Sequence, residues 1–283
     1  VLQRKPDLLH AMAVAAFGIL IADTNQFFDV GFQLSFVAVF GIFWLNQPIL
    51  KYLPKPKNNF QNFMVNVVSI SIAAQIVTLP LVIFYFHQYS FISIVANLIV
   101  IPFSEILIIF SLLMTVLIEF SVQINWLNFI YDQLVTKALQ LIHFFADLDF
   151  AFHRMIPMTL LEMGVAFVVI WFLRFAVKKL SLKNVLKISY FIILFVALRF
   201  LLNYRASQIS EVLVHHYYKD DIISVKTKDK VQFVLKGSEN MKKIEKFVIE
   251  PYLTSRRINT YETEIIPDDV RKIVINGKEY HLK

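Results

Sequence analysis

Six apolar stretches govern what this chain can become: residues 8–22, 30–45, 63–86, 91–120, 158–177 and 185–202. A helix needs about 20 mostly apolar residues to cross the hydrocarbon core of a bilayer, and most of these stretches approach or exceed that length. The first is short, and Pro102 interrupts the fourth. Of the 283 residues, 57% are hydrophobic and only 17% charged, where soluble domains carry about 25% charge. A soluble core cannot hide that much apolar surface, whereas lipid can. The expected fold class is an α-helical polytopic membrane protein with a broken or re-entrant segment, followed by a small α/β soluble tail. The chain opens at Val1 close to an apolar run, without an initiator Met or a signal-peptide layout, and reads as part of a longer protein.

Charge sets the expected orientation, because Lys and Arg in short loops stay cytoplasmic. Arg4 and Lys5 precede the first stretch. Lys51, Lys55 and Lys57 follow the second. Lys178, Lys179, Lys183 and Lys187 separate the last two. Asp23, Asp29, Glu119, Asp132, Asp147 and Asp149 occupy the complementary loops. On this trace residues 91–120 enter and leave on one side, which a straight span cannot do. A re-entrant pair turning near Pro102 can, provided its irregular backbone is buried or lines a wet cavity. Residues 126–148 differ in kind: Asp132, Thr136, Gln140, His143 and Asp147 form a polar stripe, as on an interfacial helix or one facing water inside a bundle. The trace leaves the tail outside the cytoplasm.

The division expected is a membrane domain over 1–204 and a tail over 205–283. In the tail, residues 211–217, 222–227 and 231–235 read as strands, with Gly237 as a stop. Residues 240–249 read as a helix ending before Pro251, and Asn276-Gly277 as a hairpin turn between two further strands.

Polar residues inside spans cost free energy unless paired or hydrated. Gln33 and Ser35 lie in the second stretch; Ser71, Gln75 and Thr78 share a face of the third; Ser93 and Asn97 share one before Pro102. They can line a hydrated path or hydrogen-bond between helices, and the residue types alone leave both open. Glu105 is an acid well inside an apolar run, suited to a proton or cation contact or to the solvated mouth of a broken segment. Arg174 and Arg199 sit where snorkelling explains them. The seven histidines show no metal-ligand spacing, and His215 and His216 point to opposite faces of a strand. Six glycines and no Gly-x-x-x-x-Gly-Lys exclude a nucleotide loop. No cofactor and no catalytic constellation is expected, hence no enzyme and specifically no nuclease. The lysines of the tail are interleaved with acids and read as ordinary surface.

The run from Asp29 through Gly31-Phe32-Gln33-Leu34-Ser35-Phe36 to Gly41 resembles the signature of the ComEC competence family. Ala74-Gln75-Ile76-Val77-Thr78-Leu79-Pro80 is similar to a second family stretch, and Phe86, Ser90, Ala96-Asn97-Leu98 and Ile101-Pro102 follow in its order. The resemblance covers about residues 1–200. It implies an inner-membrane channel passing single-stranded DNA into the cytoplasm during natural transformation, in the bacterial cytoplasmic membrane with the tail outside. Gln33, Ser35, Gln75, Thr78, Asn97, Pro102 and Glu105 would then line the path. Implied partners are single-stranded DNA, the lipid bilayer, an extracytoplasmic DNA receptor and cytoplasmic DNA-capturing or motor proteins, with homo-oligomerisation left open. The tail is similar to the first strands of a metallo-β-lactamase-like domain without its metal motif. Other readings of the same residues are a small-solute transporter, a lipid-linked glycan enzyme, or a membrane anchor bearing a binding module.

Overall fold

The computed structural model describes residues 7–120, 124–148, 152–217, 220–236, 241–267, 270, 272–275 and 277–281. Seven helices come first: α1 Leu8–Ala22, α2 Val30–Leu50, α3 Asn59–Phe86, α4 Ser93–Glu119, α5 Asn125–Ala146, α6 Leu160–Lys178 and α7 Leu182–Gln208. Five of them, α2, α3, α4, α6 and α7, are long and apolar enough to span a membrane. At 15 residues α1 is about 22 Å long, short of the hydrocarbon thickness. The chain is a polytopic α-helical membrane protein with a small tail. Arg4, Lys5, Gly237 and Asn276 lie outside the described residues.

The loop acids have a local task. Asp7 and Asp29, with Asn58, cap the amide groups that open α1, α2 and α3, where the helix dipole also favours negative charge. The chain divides into two compact units: Val1–His153 with Ile170–Asn184, and Arg154–Val169 with Val185–Lys283.

In the first unit α2 and α3 form a tight hairpin around Gly41, Leu45, Val67, Ala73, Val77 and Leu81. Across it Ser69 Oγ donates to Asn46 Oδ1 at 2.5 Å. Trp44 stacks on Trp171, and the Tyr52 hydroxyl donates to the Val177 carbonyl, so the C-terminal ends of α2 and α6 lie together. Arg174 donates to the Trp44 carbonyl and lies over its ring; these protein partners replace the snorkelling read from its position.

The segment expected to break at Pro102 does not break there. α4 is one helix of 27 residues with Pro102 inside it. Helix α5 runs back along α4, with Tyr131 stacked on Phe110 and its hydroxyl 3.0 Å from Ser111 Oγ. Strands β1 (Tyr89–Ser90) and β2 (Phe152–His153) then pair antiparallel, which brings both ends of the excursion together. Energetics explain why. A helix-interior proline costs about 3 kcal/mol, but opening the helix would leave several backbone groups unpaired in lipid at several kcal/mol each.

In the second unit the tail strands β3 Glu211–Tyr217, β4 Asp220–Thr227, β5 Lys230–Lys236 and β6 Tyr261–Ile266 form a sheet in that order, antiparallel except for β5–β6. The parallel step requires a crossover, supplied by α8 Met241–Ile244, a π-turn Glu245–Ile249 and α9 Glu250–Arg256. The helical run therefore does not stop before Pro251, which sits in the first turn of α9 directly after the π-turn. Alternation along β4 sends Ile222 into the core beneath the helices and Ile223 to the other face. That second face is covered by β7 Lys272–Ile275 and β8 Lys278–His281, through Ile273, Ile275 and Tyr280.

Candidate functional site

Where α3 gives way to β1 and α4, a pocket of about 320 Å³ opens, lined by Gln75, Thr78, Leu79, Val82, Gln88, Tyr89, Ser90, Ser93, Asn97 and Phe152. Helical spacing puts Gln75, Thr78, Leu79 and Val82 on one face of α3, roughly opposite the Ala73–Val77 edge that meets α2. Gln75 is its hub. Its Nε2 donates to Ser93 Oγ at 2.8 Å, and Ser93 Oγ donates to the Ser90 carbonyl at 2.6 Å. The Tyr89 hydroxyl donates to Gln75 Oε1 at 3.4 Å. Burial raises the pKa of Tyr89, so its hydroxyl stays neutral and remains a donor. The Thr78 hydroxyl donates back to the Ala74 carbonyl. The Asn97 amide makes no hydrogen bond among the described residues, and no Asp, Glu, Lys, Arg or His lines the pocket.

Three of the residues expected along a path, Gln75, Thr78 and Asn97, therefore share one cavity. The others lie elsewhere. Gln33 ties helix to helix: its Nε2 donates to the Phe27 carbonyl at 2.9 Å, and its Oε1 accepts from the Tyr85 hydroxyl at 2.8 Å. Ser35 is exposed, Pro102 half-buried within α4, and Glu105 exposed on the same helix. Ser71, one turn below Gln75 on the same face, is buried with its hydroxyl unpaired among the described residues.

A charged cluster in the second unit escaped sequence reasoning. Glu162, fully buried at the start of α6, is held by both guanidinium nitrogens of Arg257, with Arg199 at 3.6 Å. Arg199 also donates to the Pro157 carbonyl, and Arg257 to Asn203. Glu162 further accepts from the Thr159 amide and hydroxyl, at 2.8 and 3.0 Å. The legible signal was Thr159-Leu160-Leu161-Glu162 before an apolar run, a capping box. Its arginine partners come from 37 and 95 positions away, beyond any local pattern.

Lys226 is likewise buried, its ammonium donating to the carbonyls of Ala206, Ile209 and Lys228 at 2.7, 2.5 and 2.8 Å. It caps the end of α7, where the helix dipole is negative. Desolvation lowers its pKa, with Glu211 and Asp229 opposing. His215 and His216 do face opposite ways: His215 meets Ser224 and Tyr252, and His216 pairs with Asp221. Among the described residues no group of three or more acids or histidines could hold a metal ion.

Residues 1–206 match a protein family described as "Competence protein". Over 141 residues the chain is 28% identical to ComE operon protein 3 of Bacillus subtilis (strain 168), covering 49% of this chain and 17% of that protein. The chain thus spans only a minor part of that relative. No solved structure matches.

Proposed function

The chain belongs to the competence protein family, and we propose from that membership that it forms part of the membrane channel carrying single-stranded DNA into the cytoplasm during natural transformation. The family match across the whole helical part, residues 1–206, carries this reading. In it the protein lies in the bacterial cytoplasmic membrane with the tail outside, served by an extracytoplasmic DNA receptor and by cytoplasmic proteins that capture or pull the strand. The protein is then a conduit rather than an enzyme, and residues 205–283 a metal-free remnant of a metallo-β-lactamase-like domain. The proposed path passes Gln75, Thr78 and Asn97, with Gln33, Ser35, Pro102 and Glu105 as flanking groups.

The test uses the full-length gene in a transformable host. Deletion abolishes entry of labelled DNA into the cytoplasm. Gln75→Leu and Asn97→Leu lower entry at least about tenfold at normal protein level, as expected where buried polar groups act on a ligand rather than on the fold. Unchanged DNA entry after deletion overturns the reading. Loss of the protein in both variants assigns these residues to packing. A pocket of 320 Å³ is also within the range of small-molecule sites, which favours a small-solute transporter as the second reading. That alternative predicts a deletion strain with normal transformation and impaired solute uptake.

A further inference from the structure

We propose that the α3–α4 pocket holds a single unpaired nucleobase, its edge toward Asn97 and its face toward Tyr89. The proposal rests on the DNA-uptake reading and adds which part of the strand this site grips.

Charge decides between base and phosphate. A phosphate taken from water into a low-dielectric site needs a cation beside it, and among the described residues no cation lines this pocket. Two guanidinium groups of the spans are engaged elsewhere: Arg174 on the carbonyl and ring of Trp44, Arg199 on the Pro157 carbonyl and beside Glu162. A nucleobase is neutral. It offers a flat π-face and an edge of alternating donors and acceptors.

The pocket presents the complement of both. Tyr89 and Phe152 supply aromatic surface, and aromatic rings accept bases of any sequence by stacking. Asn97 supplies an amide on the wall, and amides match base edges with one donor and one acceptor at once. The hydrogen bonds of the site mark the same division. Gln75, Ser93, Ser90 and Tyr89 bond one another and fix the walls, while the Asn97 amide has no partner among the described residues. An unpaired amide on a membrane helix costs free energy; a ligand edge removes that cost. A strand that leaves its phosphates in water and inserts bases one at a time also needs no row of lysines, which these spans lack.

The experiment uses the full-length protein in detergent with a single-stranded oligonucleotide containing 5-iodouracil, cross-linked by light and mapped by mass spectrometry. The expected cross-link falls on Tyr89 or Phe152. Unmodified single-stranded DNA competes for it about tenfold or more better than an abasic oligomer of equal length and charge, because stacking is lost without bases. Asn97→Leu reduces the cross-link several-fold, whereas Tyr89→Phe, which keeps the ring, retains it. Equal competition by the abasic oligomer, or a cross-link mapping away from the pocket, overturns the proposal; the competition needs no variant and so does not depend on folding of one. If deletion still abolishes DNA entry when these results fail, the channel reading stands and the base site falls. If deletion leaves DNA entry intact, both fall.

Discussion

Gly41 tests the packing that holds the first unit together. A Cβ at this position would lie 2.7 Å from Val77 Cβ, 2.9 Å from Val77 Cγ2 and 3.3 Å from the Ala73 carbonyl. The first two are too short for any carbon pair, and neither atom is the tip of a flexible chain, so α2 and α3 must part. Overpacking of this kind costs about 1–3 kcal/mol. Opposing it, alanine is the better helix former by about 1 kcal/mol. The clash also separates Leu45 and Leu81 from their neighbours and loosens Ser69 from Asn46, so Gly41→Ala should be net destabilising by about 1–2 kcal/mol. Gly18 and Gly164 meet nothing within 4 Å, so Gly18→Ala and Gly164→Ala should be neutral or mildly stabilising. A second-site change separates sterics from other causes. Val77→Gly removes both offending atoms and should partly restore Gly41→Ala, whereas Val77→Ala keeps the Cβ at 2.7 Å and should not. The assay is thermal unfolding of the detergent-purified protein, read by loss of the monodisperse peak in size-exclusion chromatography. If Gly41→Ala unfolds at the wild-type temperature, or all three glycine variants shift alike, close α2–α3 contact is refuted.

Two further outcomes follow from the second unit. Arg257→Ala leaves the Glu162 carboxylate buried beside Arg199 alone and should cost about 3–5 kcal/mol, while Glu162→Gln with Arg257→Met should cost less than the sum of the single changes, as thermal unfolding will show. Burial pulls His215 below its ordinary value of 6.5, with Arg256 and His216 acting in the same direction and Glu211 against. The folded ring is the weaker base, so its contribution to stability is complete above pH 6.5 and is lost as pH falls below it; the unfolding temperature should drop between about pH 7 and 5, and His215→Asn should flatten that slope.

The membrane character and the helix positions were legible because apolar length is a local property: the runs at 63–86 and 185–202 fall inside α3 and α7. Loop charge called for a return to the same side within residues 91–120, but those residues run the length of α4; the segments that β1–β2 pairing joins are Tyr89–Ser90 and Phe152–His153, so α4 and α5 make the return together. That means of return was not legible. Pro102 is a loud local signal for a break, but the deciding quantity is the backbone pairing an opened helix would lose, and α5, read by its polar stripe as interfacial, was available to complete a hairpin. At the candidate site the face shared by Gln75 and Thr78 followed from helical spacing, and Asn97 from its place before Pro102. Tyr89 and Phe152 joined them only through a strand pairing across 62 intervening residues. Glu162 was obscured differently: its capping box was visible, but its burial depends on Arg257, which α9 turns back in the left-handed conformation at φ 59°.

Composition places a boundary near residue 205, where apolar helix gives way to charged strands, yet the tail belongs to one compact unit with Arg154–Val169 and with α7 from Val185 onward. The side chains explain the difference. Lys226 of β4 finds two of its three acceptors at Ala206 and Ile209, in the last turn of α7 and just past its end. Arg257, following α9, finds its acceptors at Glu162 and Asn203, on α6 and α7. Each is a charge taken out of water; Lys226 is compensated from the end of α7 and the turn just after it, and Arg257 by groups on the other side of the compositional boundary. A cut at 205 would leave the Arg257 guanidinium without its carboxylate, a penalty of several kcal/mol against a domain stability of about 5–15 kcal/mol. The tail is therefore not a module tethered to the membrane helices. Its fold is completed by them, and a displacement of α6 relative to α7 at Glu162 and Asn203 bears directly on Arg257.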